Sequence, residues 1–325
     1  MAPVEIVPLE KPEHYFTDPV EINMAERVAN GELFEAIEDL SPGYRETLDR
    51  TLEIAAQGEV TVLTWAYLCL DTCPDIGSKI SLAAAMLDEV GHAHQQGMLW
   101  ERLGRNMHEE AFHRPPTKYW SFPILEFKPK NYIEFLACQS MLDRAGRYTT
   151  WDIERHCSFA PYRRCLKKVN YEEVFHFRHG AYWIEYYWNA SPETREAVQE
   201  AMDWVFPHGV FWYGRPDALK GHNDQLIYGI RKWTNDTMRD KWLQSASKFA
   251  KKVGFKVPTV YDEEKGKYVL DMPYPMTFDR DKRDWTWEEC TWEESINNLK
   301  RGGPERPGIY ERLQTEEWGD SLWAS

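Results

Sequence analysis

Apolar residues recur at three- and four-residue intervals from Ser41 to about Lys252, the period of amphipathic helices around a shared core. Ser41-Pro42 reads as an N-cap with proline at the first helical position, opening a helix that runs to about Leu70. The segment Asp71–Asp75, which contains Pro74, breaks it, and a second helix spans about Ile76 to Gly104. Residues 105–130 carry Pro115, Pro116, Pro123 and Pro129 and predict a long crossover. Asn131 with Glu134 resembles a capping box, starting a third helix that ends near Cys157. A fourth starts at Ser158–Pro161 and reaches Asn189, Ser191-Pro192 opens a fifth, and two shorter helices cover about 223–253, stopped by Gly254. Two helical hairpins joined by one long crossover is the connectivity of ferritin-like bundles. The expected fold is therefore all-α, a ferritin-like four-helix bundle with extra helices. Three segments are expected: an arm over 1–40 with four prolines and one short helix, a helical domain over 41–254, and an irregular extension over 255–325. That extension holds a small hairpin or turn at Tyr261–Tyr268 and the tryptophans Trp285, Trp287, Trp292, Trp318 and Trp323, and is expected to pack on the bundle or on a partner.

The core stripes carry charges. Helix two reads Leu82, Ala85, Glu89, His92, Gln96, Leu99, and helix four reads Leu166, Val169, Glu173, His176, Gly180, Trp183. Each holds a Glu-x-x-His, whose i,i+3 spacing puts both side chains on one face. Glu59 lies thirty residues before Glu89 on the stripe Leu52, Ala55, Glu59, Val62, Ala66, Cys69, and Asp143 lies thirty before Glu173. Each pair is centred on a helix break, at Pro74 and at Ser158, so antiparallel packing brings the partners to one height. One offset of 84 residues maps Glu59, Glu89 and His92 onto Asp143, Glu173 and His176. Ionised carboxylates on a core stripe are costly unless paired or bound to metal. Four carboxylates and two imidazoles form the ligand set of di-iron and di-manganese bundles and argue against a thiolate zinc site. Asp88 and Glu172, each preceding one of these glutamates, are candidates to hold the second nitrogen of a ligand histidine. The third-helix stripe Leu136, Gln139, Asp143, Gly146, Arg147, Thr150 is more polar and less bulky. It marks either an opening for dioxygen and substrate or a polar partner interface.

Composition narrows the classes. With 39 basic and 53 acidic residues the net charge is −14, which disfavours nucleic acid and anionic membranes as partners. Aromatic residues make up 14%, as suits a folded chain. No apolar run is long enough to span a membrane, and the N-terminus shows no secretory signal. Six scattered cysteines with no CxxC pair suggest no disulfide framework, so a cytoplasmic location is expected. No GxGxxG or cysteine cluster is present, so electrons for redox chemistry must come from another protein. His94, His108, His113, His179, His208 and His222 lack ligand-type partners at helical spacing and read as surface or satisfied histidines. Arg163, Arg164, Lys167 and Lys168 read as a solvated basic face.

These residues resemble the catalytic-subunit family of ring-1,2-phenylacetyl-CoA epoxidases, bacterial multicomponent monooxygenases of ferritin-like fold. The resemblance runs from about Tyr44 to the tail. It rests on Tyr44–Arg50, Glu59-Val60, Asp88–His92, Ser158–Tyr162, Glu172–His176 and Thr234–Arg239, the Ser-x-x-Pro-Tyr and Thr-Asn-Asp runs being the more family-specific. It implies a non-haem di-iron centre of two Fe on Glu59, Glu89, His92, Asp143, Glu173 and His176, with O2 as co-substrate and epoxidation or hydroxylation of an aromatic acyl-CoA such as phenylacetyl-CoA. It also implies an oligomer with a degenerate bundle subunit, a flavin/iron–sulfur reductase and a small subunit. Arg50, Arg231 and Lys232 match positions associated with acyl-CoA contact, whereas a family lysine in helix two is Ala85 here. The alternatives are a ferritin-like iron-binding or iron-oxidising protein and a non-catalytic bundle scaffold. A radical-generating subunit of ribonucleotide reductase is a further enzyme alternative. The long crossover and the long extension fit a storage cage poorly, and six retained ligand-type residues speak against a scaffold.

Overall fold

The structure is a computed structural model that describes residues 15–220, 223–300 and 303. Four long rods form the bundle: α2 (Pro42–Tyr67), α3 (Ile76–Glu101), a third rod made of α4 (Tyr132–Cys138), a π-turn (Gln139–Asp143) and α5 (Arg144–His156), and α6 (Ala160–Ala190). Before them lies α1 (Pro19–Ala29), and after them α7 (Pro192–Phe211), α8 (Asp224–Ile227) and α9 (Asn235–Val253). The molecule is thus an all-α bundle of two helical hairpins joined by the crossover.

The caps explain the helix ends. Ser41 Oγ accepts the Tyr44 amide at 3.3 Å, Asp75 the Ser78 amide at 2.8 Å and Asn131 the Glu134 amide at 3.0 Å. Glu134 returns the bond by accepting the Lys130 amide. Ser191 and Thr194 form a reciprocal capping box at α7, and α9 stops where Gly254 takes φ +109°.

The start of α6 has no side-chain cap, and tertiary contacts hold it instead. The Phe34 amide donates to Ser158 O (2.8 Å) and the Ala160 amide to Phe34 O (2.9 Å). Ser158 Oγ donates to Tyr228 O at 2.7 Å and lies 2.8 Å from the Tyr44 hydroxyl. The Ser-x-x-Pro-Tyr run therefore begins as a knot joining the N-terminal segment, α2 and the α8 loop.

After α9 the chain forms two antiparallel hairpins, β1 (Thr259–Asp262) with β2 (Lys267–Leu270) and β3 (Met276–Asp279) with β4 (Asp284–Glu289), then α10 (Trp292–Leu299). Met276, Phe278, Trp285 and Leu299 are buried in the same apolar cluster as Phe206 and Trp242. The β3–β4 turn carries Arg280 to Glu126 of the crossover (3.2 Å) and Arg283 to Glu134 of α4 (2.8 Å), both carboxylates being buried. Losing Arg283 removes the cation paired with the buried Glu134 carboxylate. Trp318 and Trp323 lie outside the described residues.

His208 departs from the satisfied histidine expected. It is fully enclosed, against Trp204 (4.4 Å) and Trp285 (4.7 Å), with neither ring nitrogen hydrogen-bonded. Burial, then the Arg283 charge, holds its pKa well below the usual imidazole value. A folded pKa below the unfolded one means full stability above pH ~6.5 and loss as pH falls and the unfolded state takes the proton. His208→Leu is expected to flatten the fall in urea midpoint between pH 7 and 5 and to raise the midpoint at pH 5. An unchanged slope would show that His208 carries no part of it.

Candidate dimetal site

The two Glu-x-x-His faces meet inside the bundle. Ligand-type atoms of Glu59, Glu89, His92 and Glu173 lie within 4.8 Å of one another, and so do those of Asp143, Glu173 and His176. Glu173 belongs to both groups. Glu89 also reaches across, with one oxygen 3.5 Å from His92 Nδ1 and the other 3.3 Å from His176 Nδ1. The arrangement is two adjoining positions. Glu59 and His92 flank one, Asp143 and His176 the other, and Glu89 and Glu173 lie between them.

The histidines are strapped from behind in a crossed pattern. His92 Nε2 of α3 is 3.2 Å from Glu172 of α6, and His176 Nε2 of α6 is 3.2 Å from Asp88 of α3. Donating Nε2–H to these carboxylates leaves the Nδ1 lone pairs facing the cluster. There, His92 Nδ1, His176 Nδ1 and Glu89 Oε2 are buried and without hydrogen-bond partners. Buried polar atoms are rarely left unpaired. Three in one cluster, all of metal-binding type, fit a pair of cations.

The electrostatics agree. Burial pulls His92 and His176 down, but the carboxylates outweigh it, Glu173 and Glu89 raising His92 to about 12 and Glu89 raising His176 to about 10. Burial pushes Glu89 up, yet the two imidazoles hold it below the carboxylate range. Glu59 and Asp143 rise well above theirs through burial and then the neighbouring charges of Glu89 and Glu173 respectively. Without cations the cluster carries more negative charge than a buried site sustains, and protons make up the difference.

A family model described as "Phenylacetic acid catabolic protein" matches residues 23–294. The chain belongs to this family. It is also similar to the A-subunit of the 1,2-phenylacetyl-CoA epoxidase of Escherichia coli (strain K12), 23% identical over 290 residues that cover 82% of this chain and 92% of the relative. The family match spans the whole bundle, including all six clustered residues.

Two features of the cluster are not legible as a stripe. The third rod reaches Asp143 through the π-turn Gln139–Asp143, which shifts every later side chain relative to an uninterrupted α-helix. Gly180 of α6 permits the contact, since a Cβ there would lie 2.6 Å from the Ser140 amide nitrogen and 2.8 Å from Leu136 O. Glu59 is held by a chain of hydrogen bonds. Tyr162 OH donates to Gln96 Oε1 at 3.1 Å, and Gln96 Nε2 donates to Glu59 Oε1 at 3.0 Å. Both donors are buried, so the tether orients the carboxylate without solvent competition. Gln96 stands on the sequence stripe one turn after His92, and that position was its only signal.

A mostly apolar cavity, with about 490 Å³ of empty space including its mouth, abuts the cluster at Glu89 and Asp143. Val62, Trp65, Ala85, Leu125, Phe135 and Trp212 form its walls. Gln139, Leu142 and Asp143 also line it, so the third rod borders an opening at that level. Further along the same rod, Arg147 stacks 3.7 Å from the Trp151 ring centroid.

The three cations matched to acyl-CoA contact are not alike. Arg50 is exposed and paired with Glu46 at 2.5 Å, and Lys232 is exposed. Arg231 is only 4% exposed and donates to Gln225 Oε1 (2.8 Å), Trp233 O (2.8 Å) and Asn235 Oδ1 (2.6 Å). Its guanidinium is committed to internal acceptors, in contrast to the acyl-CoA contact expected of it. His222 lies outside the described residues.

Proposed function

We propose that this chain is the oxygen-activating catalytic subunit of a multicomponent di-iron monooxygenase that epoxidises or hydroxylates the ring of an aromatic acyl-CoA of the phenylacetyl-CoA type. The observation that carries the reading is the six-residue cluster sharing Glu89 and Glu173, placed at the wall of an apolar cavity. Family membership and the similarity to the Escherichia coli subunit support a substrate of this class.

The donor set of carboxylates and imidazoles suits iron or manganese, and bound iron would supply reduction of dioxygen and transfer of one oxygen atom to substrate. Glu59, Glu89, His92, Asp143, Glu173 and His176 would hold it. Glu172 and Asp88 fix the imidazoles with Nδ1 inward, and the Tyr162–Gln96 tether fixes Glu59. The mostly apolar cavity walls offer Trp65, Phe135 and Trp212 to an aromatic ring. Ala85 leaves wall space open where a larger side chain would project. Two electrons per turnover come from an external flavin/iron–sulfur reductase, and a degenerate bundle subunit with a small subunit completes the assembly. Among the described residues no helix is long and apolar enough to cross a membrane. The cytoplasm is the proposed compartment.

For the CoA phosphates, Arg50 and Lys232 remain the exposed candidates, because a chain of net charge −14 needs a local cationic rim to hold a polyanion. Calorimetry of the metal-loaded chain with phenylacetyl-CoA and with free phenylacetate, at low and high salt, tests this. The thioester is expected to bind at least tenfold tighter, with a salt dependence that weakens in Arg50→Ala and Lys232→Ala. Equal affinity for acid and thioester would remove the acyl-CoA reading.

A further inference from the structure

The beginning of the crossover carries a second group of metal-ligand side chains. His108, Glu109 and His113 each offer one ligand atom, all within 4.8 Å of one another. The two imidazole centroids are 5.2 Å apart, and all three residues are solvent-exposed.

The backbone explains why such a cluster escapes an α-helical reading. His108 and His113 are five residues apart, which in an α-helix places side chains on different faces. Here Glu109–His113 is a π-turn, closed by the Arg114 amide donating to Glu109 O at 3.0 Å. Its i→i+5 bonding returns the chain to one face a residue later than an α-helix does. The i,i+5 pair therefore acts as an i,i+4 pair does on an α-helix, and Glu109 and His113 complete the turn. Asn106 fixes the entry, its Oδ1 accepting the His108 amide (3.0 Å) and the Glu109 amide (3.3 Å).

The surroundings favour a cation. The adjacent arginines are already matched by acids. Arg105 pairs with Asp49 (2.6 Å), and Arg114 pairs with Glu53 (2.7 Å) and Glu110 (2.6 Å). Glu109 brings a carboxylate to the same cluster as the two imidazoles, a donor set of metal-binding type.

We propose that His108, Glu109 and His113 form a surface zinc site, separate from the bundle cluster, with water completing the coordination. Two imidazoles and one carboxylate suit Zn²⁺, which takes three protein ligands and a water in open sites. Tetrahedral bonds of about 2.1 Å set ligand atoms roughly 3.4 Å apart, so rotation of exposed side chains closes the cluster onto the ion. The bound ion would fix the turn from which Glu110 and Arg114 reach α2, where Gln57 donates to Glu110 (3.3 Å) and accepts the Trp120 amide (2.7 Å). It would thereby tie the start of the crossover to a helix of the metal cluster.

Zinc content of the full-length chain, stripped and then equilibrated with Zn²⁺, tests the proposal on three forms. Wild type is expected to bind one equivalent more than His108→Ala/His113→Ala. Glu89→Ala/Glu173→Ala, which dismantles the bundle cluster, is expected to retain that one equivalent. Cu²⁺ bound to this last variant should show electron paramagnetic resonance splitting from two imidazole nitrogens. Adding His108→Ala and His113→Ala should abolish it. Equal zinc content in wild type and His108→Ala/His113→Ala would overturn the proposal, whatever the bundle cluster binds.

Discussion

Glu173→Ala is expected to empty both metal positions at once, whereas Glu59→Ala or Asp143→Ala is expected to cost mainly one. The asymmetry follows from the geometry. Glu173 offers an oxygen to both groups of ligand atoms, Glu59 only to the group with His92, and Asp143 only to the group with His176. Glu89, which faces both imidazoles at 3.5 and 3.3 Å, should behave like Glu173. On the proposed reading, oxygenase activity should fall by at least 10³-fold in the Glu89 and Glu173 variants, since bound iron would supply the oxygen chemistry. Far-ultraviolet circular dichroism should stay near wild type, because the helices are held by caps and apolar stripes outside the cluster. The bundle-site iron per chain, measured in each variant after identical loading, reads the pattern directly. A uniform loss of one ion in all four variants would contradict a shared-ligand pair.

Gly180→Ala is expected to damage the protein more than any other single-methyl change in the bundle. The added Cβ would sit 2.6 Å from the backbone nitrogen of Ser140 and 2.8 Å from the carbonyl of Leu136, neither of which moves aside as a side-chain tip does. Overpacking of this kind costs about 1–3 kcal/mol, and a backbone clash belongs at the upper end. The strain falls on the π-turn that delivers Asp143, so metal affinity should drop together with the urea midpoint. Gly146→Ala, in α5 of the third rod, is the control. Its Cβ would meet only the Trp212 ring, at 3.4 Å, and little change in stability is expected. Similar losses in both variants would mean that the α4–α6 approach is not the constraint.

Much of this was readable in the sequence because caps and breaks are local chemistry. Ser41, Asn131 and Ser191 announced helix starts that the structure keeps, and the repeat relating Glu59, Glu89 and His92 to Asp143, Glu173 and His176 located the cluster. What escaped depends on departures from the α-helical period or on distant segments. The π-turns at Glu109–His113 and Gln139–Asp143 change the phase that a stripe assumes, which is why His108 and His113 read as unpartnered. The Gln96–Tyr162 bond joins residues 66 positions apart. Arg231 reads as a candidate for acyl-CoA contact because nothing local reveals that Gln225, Trp233 and Asn235 converge on it. The β3–β4 hairpin lacks the Asn-Gly or Asp-Gly signal of a tight turn, and Arg283 itself takes the positive φ of +55°. Its side chain lies 2.8 Å from the buried Glu134 carboxylate, a partner far away in sequence.

The most direct measurement is Mössbauer spectroscopy with iron quantitation on the full-length chain, loaded anaerobically with ⁵⁷Fe²⁺ and then exposed to oxygen. Two carboxylate-bridged irons per chain should give, after oxidation, an antiferromagnetically coupled diferric spectrum that remains a quadrupole doublet at 4 K in a weak applied field. One iron per chain at the bundle site, or two irons that show the magnetic splitting of isolated high-spin ferric ions, would contradict a dimetal centre bridged by Glu89 and Glu173.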